Sequence, residues 1–532
     1  MLHLRTEKHT RVRDVPLACS VVVSLRRDFG ADTFVTGMTG KAFLILFLTL
    51  SFTVLGSAGE RYTLKVTEGT SPGGGPELVV ENALVRYRFW AENGVLASSY
   101  LYFAPYGTRE LDVVPGWTQD KEPELIQDVS LPLEIWPQGA PLDEPLIYQI
   151  SYAQPDEKVL EVKLTWRGEG LEVEKRFVVV EDALYTVPVE IHFRGQGQGI
   201  KLILGHHPQG KGVPELVYLY DGQKRSSPLA SGSFEGIGLV AKDSVFFWRF
   251  QGVEGLKPFQ GRNDAGQPVF GVEIPAFSGE LLLRGTLYAG RNRYILLEKA
   301  GLEGIVKLGF FSRFLVGVIR FLEVLYRATG NYGWAIILFT ITAQFFLFPL
   351  TRTQIRSMAK MQRLQPKIQR LQRLYKDDKE AFQKHVMELY RQEKVNPLGG
   401  CFPFLLQFPF LILLWQSIFN SAELFHLSPP FLWIPDLSLP DPYYIIIVLT
   451  VGVQLLGQWI TTRRSGAQAA GGTQLIGWIF PLFFAFLFRN FPAGLWLYWF
   501  LYSSIQSLLQ GIVYWELSRV APAPKPEDAG EN

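Results

Sequence analysis

Residues 386–403 read VMELYRQEKVNPLGGCFP. A charged, helix-forming segment runs into Asn396-Pro397-Leu398-Gly399-Gly400-Cys401-Phe402-Pro403, and an apolar run follows to about Ile418. Such a junction marks where a solvated helix gives way to a segment suited to hydrocarbon. Working outward, apolar runs of spanning character occur at 42–57, 333–350, 399–419, 443–461, 474–489 and 493–514. A helix needs about 20 residues to cross the hydrocarbon core, and tilt or local thinning covers the shortfall of the shorter runs. Pro403, Pro409, Pro481 and Pro492 are expected to kink or bound these helices. The fold class is therefore a multi-pass α-helical membrane protein carrying a large soluble domain.

Composition agrees with that mixture. Of 532 residues, 48% are hydrophobic and 19% charged, too apolar for a soluble protein and too polar for an all-membrane one. The net charge is only +2, but its distribution is uneven. Residues 351–397 carry twelve Lys/Arg against five Asp/Glu, and 461–473 carry Arg463 and Arg464. Residues 420–441 carry no Lys or Arg, only Glu423, Asp436 and Asp441. Basic loops stay inside, so 351–397 and 461–473 are assigned to the cytoplasm and 420–441 to the outside. With the first span kept, the C-terminus is cytoplasmic and 59–308 lie in a periplasm. The first run also reads as a signal peptide, since Lys41 precedes it and Gly-Ser-Ala-Gly follows. Residues 1–37 lack apolar period and read as an extension, disordered or spurious, with Met38 as an alternative start. Two cysteines, Cys19 and Cys401, make no disulfide framework.

Residues 59–308 read as β structure. Leu84-Val85-Arg86-Tyr87-Arg88-Phe89-Trp90 alternates apolar and polar, and Asn93-Gly94, Asp221-Gly222 and Pro137-Gln138-Gly139 are turn signals. Many short strands with such turns predict a large antiparallel β-sandwich. Residues 309–329 form an amphipathic helix: Phe311, Phe314, Leu315, Val318, Leu322 and Leu325 share a face, with Arg313, Arg320 and Arg327 opposite. That pattern suits a helix lying in the outer interface; packing on the sandwich is the alternative.

The spans hold no Asp, Glu or Lys in their interiors. Intramembrane proteolysis and proton relays need such groups or a metal motif, so no catalytic residue, metal or cofactor is assigned and the chain is not read as an enzyme. No GxxxxGK[ST] loop is present either. Uncharged polar residues recur instead at helical spacing. Thr340 and Gln344 lie four apart, as do Gln454 and Gln458; Trp499, Ser503, Gln506 and Gln510 form one stripe, and Gln407 adds an amide to a further span. An amide facing lipid lacks partners and costs up to several kcal/mol. The stripes therefore point either to a shared polar cavity or to hydrogen bonds between packed helices.

The motifs quoted above resemble those of the YidC family of membrane protein insertases. The resemblance rests on the 396–403 junction, on Pro349-Leu350-Thr351, on Ser357-Met358-Ala359-Lys360-Met361 with Leu364-Gln365-Pro366-Lys367-Ile368-Gln369, on Leu432-Trp433-Ile434, on Asp441-Pro442-Tyr443-Tyr444 and on Phe491-Pro492-Ala493-Gly494-Leu495. It implies a five-helix insertase core at 330–515, with spans at 333–350, 399–419, 443–461, 474–489 and 493–514, preceded by a signal anchor at 38–58. It further implies a periplasmic β-sandwich at 59–308, a cytoplasmic helical hairpin at 351–397 and a short cytoplasmic tail at 516–532. In the family the spans enclose a hydrophilic groove open to lipid and cytoplasm. The resemblance assigns Thr340, Gln344, Gln407, Gln454, Gln458, Trp499, Ser503 and Gln506 to that groove. It also implies a hydrophobic slide at Phe404, Phe408, Phe480, Phe483 and Phe484. Gln344 stands where the family carries a groove arginine, which puts attraction of acidic substrate tails in doubt while leaving an amide able to donate and accept. Arg352, Arg356, Lys360, Lys367, Arg463 and Arg464 would recruit partners on the cytoplasmic side.

The implied activity is insertion and chaperoning of nascent transmembrane segments in the bacterial inner membrane, alone or with the Sec translocon. Implied partners are nascent membrane proteins, the ribosome through the cytoplasmic loops, and membrane lipids, with no small-molecule substrate. The acidic, Pro/Ala-rich tail argues against tail-mediated ribosome binding. The rival readings are an assembly chaperone that does not insert, and a sugar-binding periplasmic domain that happens to be anchored.

Overall fold

The computed structural model describes residues 62–105, 108–115, 129–137, 139, 144–168, 170–207, 213–229, 232–252, 254–376, 378–393, 402–465 and 471–520. The expected N-terminal extension and the 38–58 anchor lie outside the described residues, as does the tail from 521 onward.

Residues 65–291 form three sheets whose described strand pairs are antiparallel. The first sheet is a meander of β1 (Lys65–Thr70), β2 (Pro76–Glu81), β3 (Val85–Trp90), β4 (Val95–Leu101) and β5 (Leu111–Asp112). Next come β6 (Glu134–Trp136), β7 (Gln149–Asp156), β8 (Val159–Gly168), β9 (Leu171–Val180), β10 (Thr186–Gly197) and β11 (Lys201–His206). The series ends with β12 (Glu215–Tyr220), β13 (Gln223–Arg225), β14 (Phe234–Val240), β15 (Ser244–Gln251), β16 (Lys257–Arg262), β17 (Pro268–Glu273) and β18 (Phe277–Arg291). The nine-stranded sheet runs β13-β12-β14-β15-β18-β10-β9-β8-β7, and a four-stranded sheet runs β16-β17-β11-β6. The alternation read in the sequence orients the strands: Val85, Tyr87 and Phe89 are buried while Arg86 and Arg88 point outward. Asn93 and Gly94 both take positive φ (57° and 54°), the requirement of a tight hairpin turn.

The five- and nine-stranded sheets share one buried core, in which Phe89 meets Phe177 and Tyr185 meets Tyr288. A lysine is sealed inside this core. Lys175 is fully buried, and its Nζ donates to the carbonyls of Asn93, Gly94 and Leu133 at 3.0, 2.7 and 2.7 Å. It also lies 4.3 Å from the centre of the Tyr148 ring.

After β18 the chain turns helical: α1 (Tyr294–Lys299), α2 (Phe310–Thr329), α3 (Tyr332–Leu374), α4 (Lys379–Gln392), α5 (Phe402–Asn420), α6 (Ala422–His426), α7 (Ile445–Ser465), α8 (Gly471–Leu487) and α9 (Ala493–Val520). Their ends follow local chemistry. Gly330 closes α2 in the left-handed region, φ 69°, its N–H bonded to the Tyr326 carbonyl. Asn331 caps α3 by accepting from the Gly333 N–H, and Asp378 caps α4 by accepting from Ala381. Asp441 accepts from Tyr443 and Ile446 at the entry of α7. Pro492 stands immediately before α9, whereas Pro409 and Pro481 lie inside α5 and α8.

The segment expected as a span at 333–350 and the first arm of the expected hairpin form one helix of 43 residues, through Pro349 and Pro366. Within it, Tyr332–Ser357 is long and apolar enough to cross a membrane; Phe408–Asn420, Ile445–Ile460 and Gly477–Leu487 are shorter apolar stretches. Helix α9 packs against α3, α5 and α7, and α8 packs against α7. Helix α2 buries Val316, Ile319 and Leu322 and packs on α3 and α5. It leaves Phe310, Phe311 and Phe314 exposed, so it offers one apolar surface to the protein and a second outward. Leu322, expected on one face with Phe311 and Phe314, belongs to the buried one instead.

Candidate functional site

Three surfaces of α9 meet three neighbours, and the polar residues of the apolar helices sort accordingly. Gln506 Nε2 donates to Gln344 Oε1 of α3 at 3.3 Å. Gln454 Nε2 of α7 donates to Ser503 Oγ at the same distance. Trp499 turns away from both and lies against Phe484 of α8, ring centres 4.4 Å apart. A stripe at +4, +3 shares one broad face, yet that face is wide enough to divide among neighbours.

Thr340 is fully buried and donates to its own helix, to the Ile336 carbonyl at 2.7 Å. Gln344 is 5% exposed; its Nε2, buried, has no hydrogen-bond partner. A buried amide donor without a protein partner costs about 1–3 kcal/mol unless water reaches it. Gln458 lies at the α7–α8 contact, where a Cβ on Gly477 would come within 2.7 Å of its Nε2. The side chains of Gln407 and Phe404 lie outside the described residues.

The aromatic residues form a second feature. Phe408 and Trp415 of α5, Phe484 of α8, Phe488, and Trp496 and Trp499 of α9 line a wholly apolar cavity of about 150 Å³. Phe480 and Phe483 lie on the outer side of α8, 42% and 58% exposed. Among the residues expected in the slide, Phe408 and Phe484 are thus brought together, and Trp499 joins them instead of the amides.

On the charged side, α3 and α4 pack together, with Lys367 Nζ 2.6 Å from Glu393 and Tyr375 stacked on His385. Arg352 is half-buried, whereas Arg356 and Lys360 are exposed. The Arg463 and Arg464 side chains lie outside the described residues.

The loop between α5 and α7 anchors the helices to the β-domain. Glu423 of α6 is fully buried; it accepts from Tyr185 Oη at 3.0 Å and from Arg293 Nη1 at 3.0 Å. His426 stacks on Phe103 and its Nδ1 lies 2.6 Å from Asp436. Tyr326, Tyr332 and Phe425 stack in a column, ring centres 4.3 and 4.1 Å apart, tying α2, α3 and α6 together. Sequence reading assigned no role to Glu423, although it is the sole acidic residue in its part of a loop without basic residues.

Over the helical part, residues 324–519 match the family described as 60Kd inner membrane protein. A Geobacter sulfurreducens protein named Membrane protein insertase YidC is 39% identical over 226 residues, 42% of this chain and 41% of its own length. The protein of that name from Shewanella halifaxensis is 36% identical over 237 residues, 44% of this chain and 43% of its own. The match thus spans about two-fifths of the length of these relatives. Fold similarity reaches further. A crystal structure described as an active YidC insertase with the first transmembrane domain resolved superposes with a TM-score of 0.52, covering 88% of this chain and 98% of that one at 21% identity. The large antiparallel β-domain followed by a helical core is therefore a YidC-like fold.

Proposed function

We propose that this chain is a membrane protein insertase and chaperone of the bacterial inner membrane. The single observation that carries the reading is the identity of the helical core, where residues 324–519 match the 60Kd inner membrane protein family and relatives named as insertases align. In this reading α3, α5, α7, α8 and α9 are the five spans, the β-domain is periplasmic and the C-terminus cytoplasmic.

The mechanism is physical. The barrier to inserting a nascent segment is passage of its polar flank through hydrocarbon. Gln344, Gln454, Ser503 and Gln506 offer amide and hydroxyl groups inside an apolar bundle, and the unpartnered Gln344 Nε2 supports a hydrated position there. Water and amides at that depth shorten the dry path. The apolar part of the segment passes along the aromatic cleft between α5 and α8, where Phe408, Phe484 and Trp499 provide contact without polar competition. Partition into lipid then releases it. Thr340, satisfied by its own helix, keeps α3 closely packed beside Gln344. The basic face of α3 and α4, with Arg352, Arg356, Lys360 and Lys367, serves ribosome or nascent-chain recruitment, and the Sec translocon is a partner for larger substrates.

The test is insertion in proteoliposomes holding this protein alone, with a short single-span substrate bearing a polar tail and protease protection as readout. Protection above empty liposomes is expected. Protection no greater than in empty liposomes, with the protein folded, would reduce the role to assembly without insertion.

A further inference from the structure

Where β18 ends against α5 and α6, positive charge exceeds negative. Arg291 and Arg293 are buried, and one carboxylate, Glu423, lies between them. Arg291 Nη2 donates to the carbonyls of Phe103 and Arg109 at 2.9 and 2.8 Å. Its Nε lies 3.7 Å from Glu423 Oε1, beyond hydrogen-bonding distance, and has no partner. Arg293 bonds Glu423 through Nη1, with its guanidinium 4.8 Å from the centre of the Phe419 ring. A buried surplus cation is costly unless an anion compensates it.

These side chains line a cavity of about 350 Å³ that also receives Arg109, Lys242, Asp243, Asn292, Phe419 and Asn420. Arg109 and Lys242 are exposed at its mouth and form no ion pair among the described residues; Asp243, the carboxylate nearby, is not within ion-pair distance of either. Four cationic groups thus converge on a space large enough for a phosphate, beside the end of an apolar helix.

We propose that this cavity binds a phosphate-bearing anion, a guanidinium-lined recess with a lysine at its rim. With α5 as a span, a placement resting on the insertase reading, the cavity opens at the outer membrane surface, within reach of a lipid headgroup. Inorganic phosphate presents the same chemistry.

The test uses the full chain in neutral-detergent micelles. Binding of phosphatidylglycerol, phosphatidylcholine and inorganic phosphate is followed by native mass spectrometry and Trp fluorescence, for wild type and for Arg109→Gln/Lys242→Gln. Both side chains are exposed, and an unchanged circular-dichroism melt establishes that the variant folds. Phosphatidylglycerol is expected to bind wild type at least ~tenfold more tightly than the variant. Lipid binding without an effect of millimolar phosphate identifies the headgroup as the source; displacement by phosphate identifies a free-phosphate site. Equal binding by the two proteins, or no binding by wild type, overturns the proposal. Insertion measured on the same wild-type preparation separates the two readings, since lost insertion with intact lipid binding removes only the insertase.

Discussion

Replacing Glu423 should release α6 from the β-domain without unfolding either. The carboxylate is fully buried, accepts from Tyr185 and Arg293 at 3.0 Å each, and faces Arg291 at 3.7 Å. Burial, reinforced by the Glu423 charge, holds the Tyr185 phenol well above its ordinary pKa, so it remains a donor across the working range. Removing one partner of a buried ion pair costs about 3–5 kcal/mol, because the other charge stays buried. Glu423→Gln keeps an acceptor for Tyr185 and should fall near the lower end, while Glu423→Leu loses both interactions and should reach the upper. At 1.4 kcal/mol per decade, the opening equilibrium rises about a hundredfold for Gln and above a thousandfold for Leu. Hydrogen exchange on the full chain in nanodiscs reads this directly. Peptides covering 284–293 and 420–428 should exchange faster by those factors, while peptides from β8 and β9 keep their rates. Unchanged exchange at 420–428 in the leucine variant would refute the reasoning, and an equal rise everywhere would show global unfolding instead of release.

Lys175→Met should destabilise the β-domain by about 3 kcal/mol or more, since it strands three buried carbonyls; thermal denaturation followed by near-UV circular dichroism checks this. Asp112 is held up to about 6 by burial, opposed by bonds from Ser98, Ser99 and Val114. Its folded pKa exceeds the unfolded value, so its contribution is present below about pH 4 and is lost as pH rises through about 6. The stability of wild type relative to Asp112→Asn should therefore fall by up to about 3 kcal/mol between pH 4 and 7, measured by parallel denaturant titrations at each pH. Gln344→Leu should lower insertion of substrates with polar tails severalfold while sparing fully apolar ones; equal insertion of both classes would remove Gln344 from the substrate path.

The β-domain was legible where local chemistry sets structure. The alternation at 84–90 and the paired positive φ at Asn93-Gly94 need no distant partner to be read. The helices were legible for the same reason, and a side-chain cap from Asp378 starts α4. Contacts across long sequence separations were not. Glu423 meets Arg293 130 positions away, and Gln506 meets Gln344 162 positions away, pairings that only the packed fold supplies. Fourfold spacing places residues on one face of a helix but does not name the neighbour, so Trp499 and Ser503 were grouped although they face different helices. The span expected to end at 350 has no such boundary: α3 continues through Pro349, because a helix tolerates a proline when its flanks are packed or solvated.

That continuity has a mechanical side. At 1.5 Å per residue, α3 is a rod about 65 Å long, twice the hydrocarbon thickness. Its N-terminal end is clamped, with Asn331 Nδ2 bonded to the carbonyls of Pro429 and Pro430. The stretch from Pro349 to Leu374 makes a lever arm of about 38 Å. A bend of about 10° at Pro349 swings the far tip by about 7 Å, somewhat more than the rise of one helix turn. That bend lies five residues, little more than one turn, from Gln344, so movement of the arm beyond Pro349 bears on the turns beside Gln344 while the clamp holds the other end.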